Sequence, residues 1–406
     1  MMTGPLLMSY GGGHANIIAP LAKKLAQAGH KPTVLGLTTA YQVFLRQGLK
    51  AQNVSSLIDG RRADYASAAE IVQSILPEQG HVDVSAQETW DYFTIGMHDL
   101  IVQFGESHAR ALVAKEGRFA FNPMTTMQVY LKELNPCAIV VTTSPRFELA
   151  LMRAGKRLGI PTVAIADIYV QRERDLVLSG DYADHLCVLN TVVKDGLIAD
   201  GIGKNTKVHA TGNPAFDSLA SLTHAQDRRT ELRAQLGVQD KTLILWPSAS
   251  VRQAEFTEKP FASPAEVSSA FEGLCQERPD YAYMLRPHPN TPHTLPDTAY
   301  HGILDPGFSP DDALLAADVV CFEVSTMGLQ GHLAGLPTIC VGFPDIAVFP
   351  QYNKGLIADD LSQAVAQLTA RNLETLQQDA AEQGTLENAT STITQLIVAI
   401  SHGASI

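Results

Sequence analysis

A short uninterrupted apolar run, then a turn of hydroxyl, carboxyl or glycine residues, then a helix recurs along this chain. No other feature restricts the fold as much. The clearest instance is Val319-Val-Cys-Phe-Glu-Val-Ser-Thr-Met-Gly328. The run from Val319 to Phe322 has no polar alternation, as expected of a parallel strand covered on both faces. Glu323 ends it, Ser325 and Thr326 supply a helix start, and a helical run continues to Ala334. Hydroxyls and free backbone N–H groups then gather at the carboxyl edge of a sheet, where open α/β folds bind ligands. Glu323 suits sugar or ribose hydroxyls there, and Ser325 with Thr326 suits a diphosphate. Read as structure alone, the stretch is a strand, a cap and a helix.

The same unit opens the chain. Residues 5–8 predict a strand, Ser9-Tyr-Gly-Gly-Gly-His14 a loop, residues 16–28 a helix stopped by Gly29, and residues 31–37 a second strand. This order is a βαβ opening. The loop lacks the spacing of a dinucleotide fingerprint. Its glycines still allow close approach to the backbone, so Gly12 and Gly13 are candidate binding positions. Strands are also expected over 138–141, 161–166, 186–189 and 207–211, with a helix over 148–158. Between about 60 and 135 the pattern is helical (66–75, 90–102, 107–113) with no clear strand, as for helices covering a first domain. A second block predicts strands over 242–246, 281–285, 302–304, 319–322 and 338–342 and helices over 310–317, 360–369 and 386–400. The polar helical stretch 215–238 reads as a linker. The expectation is an α/β protein of two Rossmann-like domains, residues 1–220 and 235–380, with a C-terminal helix within 381–406 packing back on the first.

Composition narrows the function. The chain has 406 residues, 45% hydrophobic, and a formal net charge of −12. That supports two cores and argues against a nucleic-acid partner, since a basic footprint is missing. Lys23-Lys24 and Arg228-Arg229 read as solvated pairs. No apolar run is long enough for a transmembrane segment, and the N-terminus lacks the basic start of a secretion signal, so a cytoplasmic location is expected. Five scattered cysteines without CxxC spacing read as buried free thiols, not as disulfides or a zinc site. Asp311-Asp312 reads as helix capping, and no metal is expected.

The strand ends carry the candidate chemistry. His14 follows the glycines at the edge of the first strand, and histidine is the side chain whose ordinary titration lies nearest neutrality, so it is the candidate general base. Glu148 and Asp167 follow later strands and are the other candidate catalytic groups. Ser248, Ser250 and Arg252 follow one strand of the second block, and Arg286 and His288 follow another. Such hydroxyls and cations hold a diphosphate without a metal. Rigid turns and solvated side chains are the competing structural readings.

Three stretches resemble known families. Gly11-Gly-Gly-His-Ala-Asn-Ile-Ile-Ala-Pro-Leu-Ala-Lys-Lys-Leu-Ala-Gln-Ala-Gly-His30 is similar to the N-terminal loop and helix of nucleotide-sugar glycosyltransferases of the GT-B architecture. Ser144-Pro-Arg-Phe-Glu148, the strand ending at Asp167, and Thr211-Gly-Asn-Pro-Ala-Phe-Asp217 resemble the UDP-N-acetylglucosamine 2-epimerase group, which shares that fold. Leu285-Arg-Pro-His-Pro-Asn290, Phe322-Glu-Val-Ser-Thr-Met-Gly328 and Ala334-Gly-Leu-Pro337 look like the donor half of both groups. The resemblance implies two domains facing a central cleft, an N-terminal acceptor domain and a C-terminal nucleotide-sugar domain. It adds Arg146 to the substrate-binding candidates. It implies a glycosyltransferase serving a bacterial surface glycan or glycoconjugate, with a nucleotide sugar as substrate, no further cofactor and an acceptor the sequence does not name; a homodimer is compatible with it. The chain departs from the epimerase group at Ser325-Thr-Met-Gly328 and Gln330-Gly-His332, where that group carries Ser-Gly-Gly and a Glu-Glu pair. It also lacks the longer plant-type donor signature. The alternative reading is a UDP-N-acetylglucosamine 2-epimerase, hydrolysing or not, and a third is a two-lobed binding protein without catalysis.

Overall fold

A computed structural model describes residues 3–76, 83–170, 173–203, 206–222, 224–248, 262–288, 302–323, 325–342, 356–371, 373–380 and 388–403. The chain forms two compact units, Met1–Asp217 with Leu386–Ile406, and Ser218–Thr385.

The first unit holds a six-stranded parallel sheet of β1 (Leu6–Ser9), β2 (Thr33–Gly36), β3 (Ile139–Thr142), β4 (Thr162–Ile165), β5 (His185–Val188) and β6 (Lys207–Ala210), in the order β2-β1-β3-β4-β5-β6. All residues of β1, β3, β4 and β5 are buried, which is why these runs are apolar apart from an end residue (Ser9, Thr142, Thr162, His185) and do not alternate. The chain leaves β1 toward β2 on one side and returns to β3 on the other. Met8 pairs with Val141, so the carboxyl ends of β1 and β3 lie side by side at the point where strand order reverses. Ligands bind at such points in open α/β sheets.

The helix after β1 runs from Gly12 to Gln27, four residues longer at its start than the sequence suggests. The glycines are its cap and first turn. Short of side chains, they read as loop, yet Gly12 N–H donates to Thr39 Oγ1 at 2.9 Å, which substitutes for a missing helical partner. Helices Ala66–Val72, Ala86–Phe104, Glu106–Glu116 and Met124–Leu134 fill the region before β3, and no strand interrupts them among the described residues. Arg62 forms a two-pronged pair with fully buried Asp91 (2.7 and 2.9 Å) within this layer.

The second unit repeats the plan. Strands β7 (Thr242–Pro247), β8 (Tyr281–Arg286), β9 (Gly302–Leu304), β10 (Val319–Phe322), β11 (Thr338–Val341) and β12 (Leu356–Ala358) form a parallel sheet in the order β12-β11-β10-β7-β8-β9. Its reversal lies between β7 and β10. The helix Thr326–Leu333 lies directly on β10. A Cβ on Gly328 would come within 2.4 Å of the Phe322 ring, and one on Gly331 within 2.7 Å of Val320. Glycine at both positions is what permits that approach.

The stretch read as a linker is mostly not one. The helix Gln226–Leu236 belongs to the second unit, fastened by buried charge. Asp318 accepts from Arg229 (2.5 Å), Arg233 (2.8 Å) and Leu243 N (2.7 Å), and Arg233 also donates to Ala316 O and Val238 O. Arg229 is therefore not solvated; only Arg228 is exposed, pairing with Asp312 at 2.9 Å. The cap of the helix Pro310–Ala316 is Ser309 and not the aspartate pair.

The last helix, Ala389–Ser401, returns to the first unit and packs on Gly12–Gln27. Ile393, Leu396, Ile397 and Ile400 join a core with Leu7, Ile18 and Leu21; each buried side chain of this size stabilises by about 1.5–3 kcal/mol. Asp217 caps it, accepting from Ala389 N and Thr390 N at 2.8 Å each. The cysteines are free; four are buried, while Cys137 is only half-buried. No helix among the described residues is long and apolar enough to cross a membrane.

Candidate functional site

The turns after β1 and β3 build one cluster. Tyr10 leaves β1 and its carbonyl accepts from Thr38 Oγ1 at 2.8 Å, while Thr39 holds Gly12. Two threonines after β2 thus fix the loop that positions His14. A Cβ at Gly13 would meet nothing within 4 Å, so the backbone there borders open space; Gly12 instead packs 3.5 Å from Thr39 and Val43. The structure separates these two candidates, with Gly12 N–H already engaged.

His14 Nδ1 lies 2.6 Å from Thr142 Oγ1, the last residue of β3. Thr142 in turn donates to Glu148, at 2.7 Å to Oε2 and 3.0 Å to Oε1. A hydroxyl has one proton. With that proton on Glu148, Thr142 Oγ1 accepts from His14 Nδ1–H, which leaves Nε2 as the unprotonated nitrogen. Nε2 lies 3.9 Å from Asp167 Oδ2. His14 and Asp167 are partly exposed (25% and 39% of their side chains), whereas Glu148 is fully buried.

Glu148 also accepts from Tyr10 N (2.7 Å) and Ser144 N (3.2 Å). Burial pushes its carboxyl above the usual range; the charge of His14, the Thr142 hydroxyl and the two N–H groups pull the other way. Every one of these contacts donates to the carboxyl oxygens and so opposes the rise that burial causes. Glu148 stands behind Thr142 and is fully buried. The carboxylate at the open side is Asp167, whose carbonyl accepts from Asn213 Nδ2 at 2.5 Å. Arg146, in the same turn as Ser144, lies over the Tyr10 ring, its Cζ 4.6 Å from the ring centroid.

The second cluster lies at the reversal of the other sheet. Ser248 follows β7 and its N–H donates to Arg286 O at 2.9 Å. Arg286 Nη1 is engaged with Asp305 and with Phe308 O at 2.9 Å, and the Asp305 side chain is 2% exposed, so this arginine ties β8 to the loop after β9. His288 is half-buried two residues on. Ser250 and Arg252 lie outside the described residues. Glu323 is 5% exposed, accepts from Ala262 N at 2.9 Å, and is pushed up to about 7 by burial, with Glu266 adding to the rise. Ser325 Oγ accepts from Met327 N at 3.3 Å as the helix cap, and Thr326 is exposed beside it. No group of three or more His, Cys, Asp or Glu side chains able to hold a metal occurs among the described residues.

Sequence reasoning missed Thr142, Thr38, Thr39 and Asp305. Thr142 had a signal: it is a hydroxyl at the end of an apolar strand, six residues before Glu148.

The fold is the GT-B type. A UDP-GlcNAc 2-epimerase from Neisseria meningitidis bound to UDP-GlcNAc superposes with a TM-score of 0.64 at 13% identity, over 97% of this chain and 99% of that one. MurG from Acinetobacter baumannii gives 0.54 at 15% identity over 98% and 99%. The wall teichoic acid polymerase TagF gives 0.55 at 13% over 99% and 90%. No protein-family model and no curated protein matches the sequence. At these identities the likeness shows the fold, and the three neighbours are an epimerase, MurG and a wall teichoic acid polymerase.

Proposed function

We propose that the chain is a glycosyltransferase that moves a sugar from a nucleotide-activated donor to an acceptor hydroxyl, in making a bacterial surface glycan or glycoconjugate, with His14 as general base. One observation carries the reading. The chain Glu148, Thr142, His14 Nδ1 fixes the imidazole with its basic nitrogen outward, as an orienting carboxylate does in an acid–base pair. In the step, Nε2 takes the acceptor hydroxyl proton, the acceptor oxygen bonds to the anomeric carbon, and the bond from that carbon to the diphosphate breaks. The diphosphate leaves with the electron pair. The imidazolium then faces Asp167 at 3.9 Å, an ion-pair partner it gains only on protonation. In the second unit, Ser325, Thr326 and the helix terminus they begin hold the diphosphate, with Ser248 just past the end of β7, the strand paired with β10, and Glu323 holds donor hydroxyls.

A second reading, 2-epimerisation of the sugar nucleotide, has its own support: the epimerase neighbour superposes better (0.64 against 0.54 and 0.55), and Asp167 places a second titratable group beside the imidazole. Incubation with a panel of sugar nucleotides separates the two. A transferase releases nucleotide in proportion to added acceptor. Conversion of the donor at C2 with no acceptor present would replace the transferase reading with the epimerase one.

A further inference from the structure

We propose that Arg146 is an oxyanion receptor, and that the acceptor carries a phosphate or carboxylate group which this guanidinium grips along its edge. The identity of the bound molecule rests on the reading of the first unit as the acceptor domain; the receptor itself rests on geometry.

Arg146 occupies the turn between β3 and the helix Phe147–Arg157 with φ 70 and ψ −114, a backbone conformation L side chains rarely adopt. Its guanidinium lies close to two rings, with Cζ 4.6 Å from the centroid of Tyr10 and 5.1 Å from that of Phe119. Phe119 is otherwise anomalous, a phenylalanine 68% exposed. Two aromatic rings beside the cation attract it through their π-systems and take none of its N–H donors as hydrogen-bond partners. Nε is shielded from solvent and has no hydrogen-bond partner, and no carboxylate among the described residues comes within ion-pair distance of Arg146. Every other substantially buried arginine described here has a carboxylate: Arg229 and Arg233 have Asp318, and Arg286 has Asp305.

A guanidinium held beside two rings, with no hydrogen bond or ion pair among the described residues, matches one ligand chemistry, a bidentate oxyanion. The position fits a substrate group. Tyr10, which supplies one face, is four residues from His14, and its N–H binds Glu148, two residues from Arg146. The turn that aims the base therefore also aims the cation. An arginine serving only to pack against aromatic rings would not need a strained backbone or an unfilled fork.

The test uses the full chain with 15N-labelled arginine. The Arg146 Nε–H resonance is identified as the one lost in Arg146→Gly, and inorganic phosphate and acetate are titrated separately. A saturable shift of that resonance is expected. A response to phosphate alone assigns a phosphate-bearing acceptor; a response to both extends the assignment to carboxylates. Arg146→Gly is expected to melt at or above the wild-type temperature, because glycine relieves the backbone. A resonance unmoved by either anion overturns the proposal, whatever the variant's stability. His14→Ala should keep the shift while losing transfer. If the wild-type chain instead converts the donor at C2 with no acceptor present and the shift persists, the transferase reading fails and the oxyanion site stands.

Discussion

Thr142 Oγ1 lies 2.6 Å from His14 Nδ1. Fully buried Glu148 fixes the direction of that contact by accepting the threonine proton, and a neutral hydroxyl thereby passes the orienting effect of a carboxylate to an imidazole that does not touch it. A partly exposed imidazole is held in place through a carboxyl that water does not reach.

The first prediction addresses this relay. Thr142→Val keeps the shape and removes the hydroxyl. The rate should fall by about 10²-fold, the scale of a misplaced catalytic group, with donor KM unchanged. Stability should fall by about 1–3 kcal/mol, because Glu148 loses one of its donors inside the protein. Steady-state kinetics with a chemical melt checks both. A variant that is destabilised but fully active would leave Thr142 a structural residue only.

The relay also marks where the sequence stopped being legible. Strands such as Ile139–Thr142 are visible because burial on both faces demands continuous apolar residues. His14 is visible because a strand, glycines and a helix start announce a ligand edge. The contact of His14 with Thr142 is not visible, since it depends on β1 lying between β2 and β3, a spatial order no local pattern encodes. Arg229 and Arg233 were hidden for a similar reason. Gln226–Leu236 is mostly polar, with Leu232 its buried apolar side chain, and only a partner more than eighty residues away, Asp318, turns that polarity into an anchor. The helix start at Gly12 was missed because glycine disfavours helix interiors, whereas the first turn is set by the Thr39 hydroxyl.

The second prediction concerns Glu323 and pH. Its carboxyl in the folded chain titrates at about 7, against 4.5 for the free side chain. Between those values the folded state holds a proton that the unfolded state has released, so stability should fall as pH rises from 4.5 to about 7 and level off above. At about 1.4 kcal/mol per pH unit the whole change is about 3 kcal/mol. Urea midpoints measured across this range should show the slope in the wild type and lose this component in Glu323→Gln. A Glu323→Gln chain with the wild-type slope would assign the pH dependence to other groups.

The third concerns the return of the chain to the first unit. Asp217→Ala removes the acceptor for Ala389 N and Thr390 N. The loss of a helix cap should cost about 0.5–2 kcal/mol. Amide exchange in Ala389–Ser401 should accelerate before that of the β1 and β3 core. Exchange rates unchanged in that helix would mean that burial of Ile393 and Ile397 alone holds it.

The most direct test of the account is His14→Ala, assayed for transfer with the full set of substrates and, by calorimetry, for binding of the nucleotide that the sugar-nucleotide panel identifies. The account predicts a rate lower by about 10²–10⁴-fold, the range for a positioned general base, with nucleotide affinity and melting temperature near wild type. Turnover within a few-fold of wild type would contradict it and remove His14 from the chemistry.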